Sequence, residues 1–210
     1  MNRIIIEGIT GSGKTTLVKL IKKKLCEDDQ INLFSISQFY TSTLIYKNRG
    51  IDAELKTYNI LDNICTLLEN FENEYNEYGS IDDTRRFNSL IECFHFEIFA
   101  KKYLSDWKLF KSIDTRMNKL GFKIVILYLP EDKIIYNSII STIKYRNSIK
   151  WSNYLHTLGN NDNEIKQYFV NVQNNLLAFA EETMMPVHII STEKMNWKQY
   201  FDEIISFSAN

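Results

Sequence analysis

The sequence predicts an α/β protein of three layers, a five-stranded parallel β-sheet between two layers of helices. Two observations carry this. Apolar runs at residues 3–7, 32–37, 89–94, 122–129 and 186–190 alternate with helical patterns at 14–26, 53–78, 96–119, 131–146, 164–183 and 196–207. That alternation is what a parallel sheet covered on both faces requires. The first run, Ile4-Ile5-Ile6, also leads through a glycine-rich loop straight into an amphipathic segment.

Each element carries its own signal. Ile4–Ile6 is a continuous apolar run, as a strand buried on both faces should be. Leu17, Val18, Leu20, Ile21 and Leu25 are spaced as one helix face. In the long second helix, Leu61, Ile64, Leu68, Phe71, Tyr75 and Tyr78 recur by three and four residues. Such a stripe packs against a core; its heptad-like spacing also allows a homodimer through this helix. Pro130 closes the strand at 122–129 and Pro186 opens the last strand, both tolerated positions. Residues 147–163 are polar and rich in asparagine and come directly after Lys144-Tyr145-Arg146. They are read as part of a mobile lid spanning about 141–163. No linker or repeat divides the chain, so residues 1–210 read as a single domain.

Composition narrows the class. The 210 residues are 44% hydrophobic and 24% charged, the balance of an ordinary globular domain. A net charge of −1 gives no reason to expect a nucleic-acid or membrane partner. Lys19, Lys22, Lys23 and Lys24 read as a solvated helix face. Cys26, Cys65 and Cys93 are widely spaced and form no C-x-x-C pair, so no zinc or disulfide framework is expected. A reduced, cytoplasmic setting is the expectation. The first strand begins too early for a signal peptide, and no apolar run is long enough to span a bilayer.

Gly8-Ile9-Thr10-Gly11-Ser12-Gly13-Lys14-Thr15-Thr16 matches G-x-x-x-x-G-K-[ST] completely. Between strand and helix, this is a phosphate-binding loop. Its glycines let backbone N–H groups turn inward around an anion, and the helix N-terminus adds positive partial charge. Lys14 is expected at the β- and γ-phosphates of a triphosphate, and the Thr15 hydroxyl on Mg²⁺. The donor-binding set is Gly8, Thr10, Gly11, Ser12, Gly13, Lys14, Thr15 and Thr16. The N-K-x-D tetrapeptide that reads guanine in GTPases is absent, and no long apolar strand ends in Asp or Asp-Glu. Glu92, after the short run Ser89-Leu90-Ile91, is the carboxylate placed to support Mg²⁺ or catalysis.

Taken in order, the I-E-G-x-x-G-S-G-K-T-T loop, the E-x-F-H at Glu92–His95 and Lys144/Arg146 followed by Trp151 resemble the thymidylate kinase and deoxynucleoside kinase superfamily. Leu127–Glu131 and Met185–Thr192 extend the resemblance over most of the chain. It implies the P-loop NTPase fold of nucleotide-kinase type, with ATP and Mg²⁺ as cofactors and a small nucleotide or nucleoside as phosphate acceptor. It implies that Glu92 holds Mg²⁺ through water. Arg146 becomes a lid arginine over the transferring phosphoryl group, where charge develops on the equatorial oxygens. Ser191 and Thr192 fall in the loop beside adenine. Gln38, Phe39, Arg49, Arg86 and His95 are candidates for the acceptor side.

Two positions depart from the family. Cys93 stands where arginine is usual, and a thiol cannot grip a phosphate with two donors; Arg49, Arg85 and Arg86 could substitute. At the end of the second strand, where nucleoside kinases place a basic glutamate, this chain has Gln38. A hydroxyl acceptor gains about 10²–10⁴-fold from such a base, whereas a monophosphate is largely ionised already. This favours a nucleoside monophosphate acceptor. A nucleoside or other small hydroxyl compound is the alternative, and a nucleotide-binding module without turnover is the third reading.

Overall fold

The computed structural model describes residues 3–27, 31–38, 40, 52–78 and 86–209. The strands are β1 (Arg3–Gly8), β2 (Ile31–Ile36), β3 (Arg86–Glu92), β4 (Lys123–Tyr128) and β5 (Val187–Ser191), in the order β2-β3-β1-β4-β5. Every pairing is parallel. Ile5 lies between Ile91 and Ile124, and Ile6 between Glu92 and Val125.

Period-two alternation divides the core into two layers. Ile4 and Ile6 of β1 and Val125 and Leu127 of β4 face α1 (Lys14–Leu25) and the C-terminal helix, meeting Leu17, Val18, Ile21, Tyr200 and Ile204. Ile5, Ile124 and Ile126 face the other way. They meet α2 (Ala53–Tyr78), α3 (His95–Ala100), α4 (Trp107–Lys119) and the long helix Asp162–Glu182 through Leu61, Phe96, Phe110 and Phe169. The three layers expected from the sequence are therefore present. The stripe on α2 is a core stripe in its first half: Leu61, Ile64 and Leu68 are buried, while Phe71 is partly exposed and its ring lies tilted against Phe34, with centroids 5.7 Å apart. The side chains of Tyr75 and Tyr78 lie outside the described residues.

Two helical expectations are corrected. The pattern at 96–119 is not one helix. Lys102 takes a left-handed φ of 59°, with Lys102 N–H donating to Phe99 and Tyr103 N–H to Ile98. Asp106 then restarts the chain as an N-cap, accepting from Lys108 N–H at 2.8 Å. The polar stretch 147–163, where no helix is expected from sequence, contains the helix α7 (Ile149–His156), whose Leu155 is buried in the core.

After β4 one helical run turns from α5 (Glu131–Ile134) through a π-helical segment, Ile135–Ile140, into α6 (Ser141–Arg146). Helix α8 is Asp162–Glu182, capped by Asn161, whose side chain accepts from Asn163 and Glu164 N–H. Helix α9 is Trp197–Ala209. The chain leaves β1 toward β2 on one side of the sheet and leaves β4 toward β5 on the other. The carboxyl ends of β1 and β4 thus bound the crevice where sheets of this kind bind ligands.

Candidate functional site

The phosphate-binding loop opens at Gly8, the last residue of β1, and ends on Gly13, the N-cap of α1. Gly13 has φ 94°, a left-handed conformation that favours glycine. It also lies against the Trp197 indole: a Cβ there would fall 2.3 Å from the ring. Gly11, at φ 83°, packs as closely on the π-helical segment, where a Cβ would meet the Asn137 carbonyl oxygen at 2.5 Å. The Ser138 hydroxyl donates to Thr10 O at 2.6 Å. The loop is thus held by the segment after β4 and by the start of α9. π-Helical turns recur at functional sites, and this one is pinned to the loop.

Inside the loop, Lys14 is buried and its ammonium donates to the Gly8 and Ile9 carbonyls. Thr15, on the exposed first turn of α1, donates its hydroxyl to Glu92 Oε1 at 2.7 Å. Register explains the meeting: Glu92 ends β3 beside Ile6 of β1, two residues before the loop. Ser12 is buried and its hydroxyl oxygen has no partner among the described residues. The glycine cradle, the hydroxyl–carboxylate pair and this orphaned hydroxyl fit a polyphosphate with a divalent cation.

Beyond Glu92 lies a buried polar group of which sequence reading singled out only Cys93. Its members are Glu7, Cys93, Glu97 and Lys101. Glu7 is fully buried; Phe94 N–H donates to its Oε1 at 2.8 Å, and its Oε2 has no partner among the described residues. Burial, then the charge of Glu97, pushes the Glu7 carboxyl up to about 8, against the pull of Phe94 N–H and Lys14. Cys93 is buried at φ 60°, and burial and the Glu97 charge push its thiol well above the usual range.

Glu97 is 4% exposed. Burial alone would raise its carboxyl; the charges of Lys101 and Lys14, with the Cys93 hydrogen bond, hold it below the usual carboxylate range. Lys101 pairs with Glu97 one helical turn away; burial works against its charge, and the Glu97 carboxylate raises it above the ordinary lysine value. Gln38 closes the group: its side-chain amide donates to Glu97 Oε1 at 3.2 Å, and its backbone N–H faces Glu92 Oε2 at 3.5 Å. The signal in sequence was slight, a glutamate and a lysine spaced i, i+4 among phenylalanines.

Arg146 ends α6 with its guanidinium carbon 3.8 Å above the Trp151 ring. Trp151 donates its indole N–H to the Thr142 hydroxyl at 2.9 Å. This hydrogen bond ties α7 to α6.

Some expected site residues lie elsewhere. His95 does not line a pocket. It is fully buried against Phe94, Phe96 and Phe110, and its Nε2 faces Asp114 Oδ1 at 3.3 Å. Asp114 also accepts from the Thr183 hydroxyl and Met184 N–H, so the network ties α4 to the end of α8. Burial lowers the imidazole's pKa against the pull of Asp114, as for a histidine packed in the core. Arg86 begins β3, at the opposite end of the strand from Glu92. At about 3.3 Å per residue the two backbone positions are roughly 20 Å apart. Phe39, Arg49 and Arg85 lie outside the described residues. Ser191 and Thr192 do sit at the loop end of the sheet. Thr192 is buried there, and both its N–H and its hydroxyl donate to Tyr128 O, at 2.9 and 3.1 Å. Its side chain closes the turn. Thr16 is exposed on α1.

No protein-family profile and no curated protein sequence matches the chain. Solved structures do. The chain is similar to the YorR protein of Bacillus subtilis, solved in complex with phosphorylated GDP, at 12% identity and TM-score 0.59, covering 97% of this chain and 94% of that one. It is similar to thymidylate kinase of Candida albicans at 13% identity and TM-score 0.53, covering 98% and 90%. Thymidylate kinase of Ehrlichia chaffeensis matches at 15% identity and TM-score 0.51, covering 98% and 97%. The fold is therefore that of the P-loop nucleotide and nucleoside kinases, across nearly the whole chain. No helix among the described residues is long and apolar enough to cross a membrane.

Proposed function

We propose that the protein is a P-loop phosphotransferase that moves the γ-phosphoryl group of ATP to a nucleoside or nucleoside monophosphate. The observation that carries this reading is the Thr15–Glu92 contact at the mouth of the glycine loop, beside buried Lys14. Hydroxyl and carboxylate are the oxygen ligands Mg²⁺ takes, directly or through water. Bound there, Mg²⁺ would neutralise charge on the β- and γ-phosphate oxygens.

The chain's own groups do the rest. Loop N–H groups from Gly8 to Thr15 orient the donor phosphates. Lys14 exchanges the Gly8 and Ile9 carbonyls for phosphate oxygens, a short swing from its present position. Arg146 leaves Trp151 and closes over the transferring group. Phosphoryl transfer asks for positioning and charge stabilisation more than for covalent chemistry. Ser191 and the turn after it lie on the side where the donor's base would rest.

The acceptor favoured by sequence is a nucleoside monophosphate, because position 38 offers no base. The experiment is ADP release from Mg·ATP against a panel of nucleosides and nucleoside monophosphates, with an acceptor-free control and Lys14→Ala. Stimulation by one panel member, abolished in Lys14→Ala, is expected. ATP binding with no stimulation by any member would leave a nucleotide-binding module instead.

A further inference from the structure

We propose that Glu97 is the acceptor-side catalytic carboxylate, and that the acceptor presents an uncharged hydroxyl, as a nucleoside does. The proposal rests on the phosphotransferase reading above and narrows it against the monophosphate.

Position is the first argument. A continuous set of contacts leads from the loop to Glu97: Thr15 to Glu92 at 2.7 Å, Glu92 to Gln38 N–H at 3.5 Å, and Gln38 Nε2 to Glu97 at 3.2 Å. Glu97 is also close enough to Lys14 for that charge to act on it. A group between Lys14, Gln38 and Glu97 stands beside the donor's terminal phosphate. The neutral amide of Gln38 cannot take a proton, but it can hold a carboxylate that does. The base that sequence reading sought at the end of β2 is thus supplied from α3.

Charge is the second. The groups that act on Glu97 are Lys101, Lys14 and Cys93; Glu97 in turn acts on Glu7, Cys93, Tyr103, Tyr154 and Tyr168. Lys101 is already paired with Glu97, and Lys14 belongs to the donor phosphates. Among the described residues, a monophosphate would bring a dianion against the carboxylates of Glu97 and Glu92 while Lys101 is paired and Lys14 is engaged by the donor. A neutral hydroxyl meets no such repulsion. A buried ion pair is a weak source of stability in its own right, and the carboxylate of this one also feels the charge of Lys14.

The transfer balances simply. The acceptor O–H proton passes to a Glu97 oxygen. The freed oxygen pair forms the new bond to the γ-phosphorus. The bond from γ-phosphorus to the β–γ bridging oxygen breaks, and ADP leaves with that pair. Glu97 then returns its proton to water.

The test compares wild type, Glu97→Gln and Glu97→Asp with nucleosides and with monophosphates, each alongside an ATP-binding titration. Wild type is expected to turn over a nucleoside and not its monophosphate. Glu97→Gln is expected to bind ATP normally and lose kcat by about 10²–10⁴-fold, the worth of a positioned base. Glu97→Asp should recover part of that loss, and the acid limb of the wild-type kcat–pH profile should vanish in the residual Glu97→Gln rate. A wild type that prefers a monophosphate, or a Glu97→Gln kcat within about threefold of wild type, overturns the proposal and leaves the phosphotransferase reading standing. Failure of wild type with every acceptor overturns that broader reading instead. Should Glu97→Gln not fold, the acceptor preference of wild type decides.

Discussion

Thr15 and Glu92 are 77 positions apart in the chain, and their side chains meet at 2.7 Å. The parallel pairing of β1 with β3 makes the meeting possible, because Ile6 and Glu92 are register partners and the loop begins two residues later. If this pair holds the cation, the residues act as one unit. Thr15→Ala and Glu92→Gln should each lower kcat by about 10²–10³-fold, the usual worth of one electrostatic group in an active site. The double variant should fall well short of the product. Additive losses in a double-mutant cycle would mean that the two do not share a task.

The loop glycines are set by contact as well as by dihedral angle. Gly11→Ala would drive a Cβ to 2.5 Å from a backbone carbonyl, whereas Gly121→Ala meets nothing within 4 Å and has only its φ of 72° against it. Gly121→Ala should cost about 1–2 kcal/mol, the penalty for an L-residue in the left-handed region. Gly11→Ala should cost more and also weaken ATP binding. Urea denaturation with an ATP titration measures both.

If residues 141–163 close as a lid over bound nucleotide, the Arg146–Trp151 contact gives that motion an optical readout. In a Trp107→Phe, Trp197→Phe background, Trp151 is the sole indole. Mg·ATP with acceptor should change its emission as the guanidinium leaves the ring, while Arg146→Ala should show the changed emission without ligand. Arg146→Lys should keep lid closure and lose rate, because an ammonium cannot reproduce the planar fork.

Glu7 carries a pH dependence with a definite sign. Its carboxyl rises from an ordinary 4.5 to about 8 in the folded protein, chiefly through burial. The folded state therefore holds the proton more tightly. The stability this contributes is complete below about 4.5 and is lost as pH rises through about 8. The slope in that window is at most about 1.4 kcal/mol per pH unit for one proton. Glu7→Gln should flatten it in denaturation measured from pH 5 to pH 9; an unchanged slope would assign it to another group.

The fold was legible because its signals are local. The strands show as apolar runs, and the glycine loop dictates the turn and the helix after β1. Alternation within Ile4-Ile5-Ile6 already encodes two core layers. The buried polar group around Glu97 was not legible, because it is built from long-range neighbours. Glu97 on a six-residue helix reads as an ordinary glutamate until packing buries it between Gln38 and Lys101. His95 misled for the converse reason: its partner Asp114 is on α4, and nothing in the spacing announces the pair. Arg86 has the chemistry to bind a phosphate, but β3 places it at the wrong end. The break at Lys102 was hidden by continuous helical periodicity on both sides, although Asp106 is a readable cap.

The most direct test of the central claim tracks labelled γ-phosphate from Mg·ATP into the acceptor, in wild type and in Lys14→Ala. Label in the acceptor with wild type, absent without Mg²⁺ and absent in Lys14→Ala, is the predicted result. Label recovered only as inorganic phosphate, or transfer that survives Lys14→Ala, would contradict it.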